Sequence, residues 1–108
     1  MPDNRKLPNR YVRFTAEYPE VGRSHDALSA AARAAGPLDE KTAALVKLGM
    51  AIGTRHEGAV HSHTRKALAA GASAAECRHA AVLGVTTLGF PAMVAALSWV
   101  DDVLEKQA

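Results

Sequence analysis

Between Arg55 and Gly71 the chain reads Arg-His-Glu-Gly-Ala-Val-His-Ser-His-Thr-Arg-Lys-Ala-Leu-Ala-Ala-Gly, a stretch that holds three of its five histidines with a glutamate among them. Imidazole titrates near neutral pH, and burial tunes it, so these are the side chains best suited to take and return a proton. On a helix each residue advances about 100°, which places His56 and His63 about 20° apart, two turns from one another. Ala59, Val60 and Ala67 share that side. The expectation is a small pocket lined by His56, Ala59, Val60 and His63, with Arg55, Arg65, Lys66 and Arg78 as a cationic fringe. The competing expectation is structural: a buried histidine pair satisfied by backbone carbonyls or by a neighbouring subunit, and a solvated basic face.

Glu57 and His61 form a second row, four residues apart, as an ordinary surface pair does. Two such groups hold a divalent metal only when a further ligand comes from elsewhere. The His61-x-His63 spacing does not chelate on a helix, because residues two apart point to nearly opposite sides. No metal and no cofactor is therefore assigned. Cys77 is the only cysteine, which excludes an intrachain disulfide or dithiol centre. A lone thiol near a helix start admits redox chemistry with an external thiol, but packing is the plainer role.

The elements that must position these groups follow from composition. Hydrophobic residues make up 48% of the 108 residues but aromatics only 5%, so the apolar content is chiefly Ala, Leu and Val, which suits close-packed helices. No strand-like alternation occurs, and the expected architecture is all-α, a single small domain of five to six helices. A core of small side chains makes oligomerisation a natural support. The net charge of +2 comes from interspersed residues, without a basic block, so nucleic acid is not an expected partner. There is no run of 18 apolar residues, the N-terminus lacks an apolar segment, and a cytoplasmic, non-membrane protein is expected.

In chain order, residues 1–18 read as a polar arm followed by a short helix from Asn9, broken at Tyr18-Pro19. Residues 19–108 read as the helical domain. A helix over about Glu20 to Ala35 carries Val21, Leu28, Ala31, Ala32 and Ala35, with Gly22 weakening its first turn. Asp39 caps a nearly all-apolar helix to Thr54. The histidine helix runs from about Arg55 to Ala70 and is closed by Gly71 in a left-handed conformation. Ser73 to Glu76 is a capping box opening a helix to about Leu88. Gly89-Phe90-Pro91 leads into the last helix, where Met93, Ala96, Leu97, Val100, Val103 and Leu104 form one stripe.

Leu38-Asp39-Glu40-Lys41-Thr42, then His63 through Ser73, the capping box and Gly89-Phe90-Pro91-Ala92 appear in an order that resembles the carboxymuconolactone decarboxylase family, including its alkylhydroperoxidase-like members, from about Leu38 to Leu104. The resemblance implies an alkylhydroperoxidase-like helical fold and a homo-oligomer, commonly a trimer or hexamer. The redox branch carries a Glu, a Cys-x-x-Cys pair and a His. His63 falls on that histidine, while His56 and Ala59 fall on the cysteines and Ala44 on the glutamate. Peroxide reduction through a dithiol needs two thiols, so that mechanism is excluded here. The decarboxylase branch implies cofactor-free, lyase-like proton transfer on a small organic acid. His63 and His56 would carry the proton, and Glu57 or an arginine such as Arg55 would assist. The alternative is a non-catalytic ligand-binding or structural member that has lost the dithiol site.

Overall fold

The structure is a computed structural model that describes residues 9–107; the arm expected over residues 1–8 lies outside the described residues. Six α-helices follow one another: α1 (Asn9–Glu17), α2 (Pro19–Ala34), α3 (Glu40–Thr54), α4 (Glu57–Ala69), α5 (Ala74–Val82) and α6 (Phe90–Gln107), with a 3-10 turn at Leu83–Thr86. Among the described residues there is no strand, and the fold is all-α as composition implies. No helix of the described residues is long and apolar enough to cross a membrane.

The chain divides into two compact units, one ending at Leu38 and one beginning at Asp39. The Tyr18-Pro19 break drawn from the sequence thus separates two helices inside the first unit. Pro19 opens α2 as its first residue, where a missing N–H costs nothing. Gly22 does not delay the helix. It is buried, and a Cβ placed on it would lie 2.8 Å from Thr15 Cγ2 and 3.1 Å from Thr15 Cβ, so glycine is what lets α1 and α2 approach. Thr15 cannot turn away freely, because its hydroxyl donates to Val12 O at 3.0 Å. The Tyr11 hydroxyl donates to Asp26 across the same helix pair. Gly22→Ala is expected to lower stability by about 1–3 kcal/mol through overpacking. Thr15→Ser, which deletes the offending methyl, should restore most of the loss in a thermal melt. Val21 and Leu28, which recur at helical spacing along α2, are 52% and 68% exposed.

In the second unit the core is Leu48, Ala51 and Ile52 of α3, Val60 and Ala67 of α4, Ala72 beyond it, Cys77 and Ala81 of α5, and Ala96 and Val100 of α6. The sequence sets its helix ends. Asp39 accepts from Thr42 N at 2.8 Å, the N-cap bond that opens α3. Ser73 accepts from Glu76 N at 3.0 Å while Glu76 accepts from Ser73 N at 2.8 Å, the reciprocal pair of a capping box. Gly71 (φ 101°) closes α4, with Ala72 N donating to Ala67 O at 2.9 Å and Gly71 N to Leu68 O at 3.1 Å, a Schellman end.

The end of α5 differs from the sequence reading. The helix expected to reach Leu88 stops at Val82 and tightens into the 3-10 turn, in which Thr87 N and Leu88 N both donate to Gly84 O. Gly84 and the β-branched Val85, Thr86 and Thr87 are weak helix formers, which favours this early end. The stripe of α6 is taken up by the chain itself: Met93, Ala96, Val100 and Val103 are buried, with α4 and α5 packed against the helix.

Candidate functional site

The histidine helix begins at Glu57, two residues later than expected. Arg55 ends α3 in the left-handed region (φ 59°, ψ 34°), its N–H donating to Ile52 O at 3.0 Å. His56 is then the N-cap of α4, extended at φ −103° and ψ 109°, with no side-chain capping bond. Its carbonyl accepts from Val60 N at 3.0 Å, so its backbone starts the helix while its imidazole stays exposed. His56 therefore does not share a helical face with His63. A non-glycine residue at positive φ such as Arg55 consumes the turn that the wheel assigned to the helix.

Within α4 the remaining positions sort as helical geometry requires. Val60, Thr64 and Ala67 are buried and form the inward face, with the Thr64 hydroxyl donating to Val60 O at 2.7 Å. Val60 is wholly buried in the core, so it holds the helix in place rather than presenting a surface to solvent. Ala59 is half-buried and packs against the core.

His63 is half-buried beside that face. Burial holds its pKa below the ordinary value, and the ammonium groups of Lys66 and of Lys47 on α3 push in the same direction. The imidazole is thereby kept neutral near pH 7, a proton acceptor set among cations.

His61 lies on another side of α4. Its Nε2 is 3.0 Å from Asp102 Oδ2 on α6 and 3.8 Å from Glu57 Oε2 one turn back on its own helix. The Glu57–His61 pair was visible as an i, i+4 spacing. Asp102 was legible only as a residue off the apolar stripe of α6. Its pairing with a histidine 41 residues away is a product of the fold.

The basic fringe is partly committed elsewhere. Arg78 of α5 donates to Asp101 of α6. Arg55 is exposed and its Nη2 donates to Leu88 O at 3.5 Å. Lys41 Nζ lies 3.1 Å from Glu76 Oε2, tying the start of α3 to the capping box of α5. The bond from the Ser73 backbone first, and this one second, hold the Glu76 carboxyl below its ordinary pKa.

An open groove of about 610 Å³ runs along α3 and α5 to the 3-10 turn. Leu45, Gly49 and Ile52 form one wall and His79, Ala80 and Leu88 belong to the other. The residues singled out in sequence (Arg55, His56, Glu57, Ala59, Val60 and His63) are not among those lining it. Its apolar wall comes from α3, and its opening from Gly49 and Gly53, neither of which has a neighbour within 4 Å of where a Cβ would stand.

Cys77 is fully buried, and burial together with nearby Glu76 pushes its thiol pKa up. Redox chemistry through this cysteine is not supported, since the thiolate is the reactive form.

The second unit is therefore an α-helical bundle in which a histidine-bearing helix is packed between its neighbours. The model of the carboxymuconolactone decarboxylase family matches residues 19–102, and the chain belongs to that family. The comparisons with curated proteins and with solved structures give no match.

Proposed function

We propose that this family member performs cofactor-free proton transfer on a small organic acid, with His63 as the proton carrier. The observation that carries this reading is the setting of His63: a half-buried imidazole whose neutral form is favoured both by burial and by Lys47 and Lys66. A neutral imidazole accepts a proton from carbon or oxygen and returns it as imidazolium, and the neighbouring ammonium groups draw a carboxylate to the same place. Ala59 and Val60 are the apolar backing of α4, while His56 at the N-cap and Glu57, turned to His61 on another side of the helix, stand off the His63 face. Lyase-type turnover of a lactone acid is the activity that the decarboxylase side of the family suggests. Activity on such an acid that is unchanged in His63→Ala would count against the reading.

The same proposal includes self-association, as a trimer or hexamer, in the cytoplasm. It is supported by large apolar side chains left at the surface, among them Leu28, Met50, Leu83 and Phe90, each more than 60% exposed.

A second reading, non-catalytic binding of an apolar ligand, rests on the groove beside α3 and its separation from the histidines. Gly49→Leu fills that groove and replaces a poor helix former with a good one, so the fold should survive. On this reading a fluorescent apolar probe loses affinity for Gly49→Leu but not for His63→Ala; equal binding by both variants and wild type would rule the groove out.

A further inference from the structure

We infer that Glu57, His61 and Asp102 form a zinc site, separate from His63. Zinc in proteins takes nitrogen and oxygen ligands at about 2.0–2.2 Å in tetrahedral geometry, which spaces the ligand atoms about 3.3–3.6 Å apart. The two separations from His61 Nε2, 3.0 Å to Asp102 and 3.8 Å to Glu57, straddle that spacing. One donor atom from each of the three residues lies within 4.8 Å of the others.

The arrangement also has an electrostatic argument. Two carboxylates converge on a single imidazole nitrogen, which offers one proton at most. With both carboxylates ionised they repel each other across that short distance. A dication at their centre replaces one shared proton with three bonds and cancels the repulsion. Nε2 then serves as ligand in the neutral imidazole, the form that binds metal.

The placement suits entry and an open coordination position. Glu57 and Asp102 side chains are 58% and 50% exposed while that of His61 is 26% exposed, so the histidine is held by packing and the oxygens face solvent. The ligands come from two packed helices: Glu57 and His61 are one turn apart on α4, and Asp102 is on α6. Three protein ligands with one free position is the pattern of zinc sites that retain a water.

The test uses the full-length protein without an affinity tag. Calorimetry with Zn²⁺ and visible absorption with Co²⁺ as a tetrahedral probe should both give one equivalent per chain. Asp102→Asn, Glu57→Gln and His61→Gln should each weaken binding at least about 10-fold, the scale of losing one ligand. His25→Gln, on α2, should not change it. Circular dichroism confirms that the variants fold. Absence of saturable binding by the wild type, or binding retained by Asp102→Asn and lost with His25→Gln, would overturn the site. Zinc binding that persists in His63→Ala, with proton transfer abolished, separates this site from the proposed proton carrier; loss of zinc binding in that variant would overturn the separation.

Discussion

Replacing His63 by glutamine is expected to slow proton transfer on a small organic acid by roughly 10²–10⁴-fold, the usual worth of a positioned acid–base group. The helical content should not change, because the side chain stands at the edge of the core and glutamine keeps most of its volume. The same variant changes how stability depends on pH. In the folded protein the His63 pKa lies below its ordinary value, by burial first and then by Lys66 and Lys47. The unfolded chain, with an ordinary histidine pKa of about 6.5, therefore binds more protons in the window between the two values. The stability linked to neutral His63 is fully present above about pH 6.5 and is lost as pH falls through the folded pKa. Urea unfolding at about pH 7 and about pH 5 should show the wild type losing more stability than His63→Gln over that interval, while the carboxylate contributions, common to both, cancel.

Leu48→Ala is expected to have the largest effect on the fold, a loss of about 2–5 kcal/mol. Leu48 is fully buried on α3, among core residues contributed by α4, α5 and α6. Many of its neighbours are alanines, which have no longer rotamer with which to refill the space. A loss of that size is a large part of the roughly 5–15 kcal/mol that a domain of this length has in total. The urea midpoint should fall with little change in slope, because the exposed surface on unfolding is nearly the same. A change below about 1 kcal/mol would mean that the helices close around the missing side chain.

Local chemistry made much of the second unit legible in the sequence. Asp39, Gly71 and the Ser73–Glu76 box end their helices where short-range hydrogen bonding requires. The apolar period of α6 identifies its buried side. Helical spacing also separates Glu57 and His61 from Val60 and Ala67 of the inward row. What the sequence concealed depends on tertiary contact or on an uncommon backbone state. Arg55 in the left-handed region removes His56 from the helix, and nothing in the residue type announces it. Gly22 reads as a weak point of α2 until Thr15 is seen against it. Asp102 looks like a solvated residue beside the α6 stripe until the α4–α6 packing brings it to His61. The groove beside α3 depends on glycines that, in sequence, merely interrupt an apolar run.

The family fixes the ancestry of the fold, and the altered positions direct attention away from thiols. Ala44, His56 and Ala59 stand where the resemblance places the redox residues, and the one cysteine is enclosed in the core. What remains of that constellation is His63, with its two ammonium neighbours.

The most direct test of proton transfer through His63 is deuterium uptake by a lactone carboxylic acid in D₂O, followed by proton NMR with wild type and His63→Gln side by side. Proton transfer through His63 predicts saturable loss of the signal from the carbon-bound proton next to the carbonyl with the wild type, slowed about 100-fold or more in the variant. Equal rates for the two proteins, or a wild-type rate no faster than buffer, would contradict it.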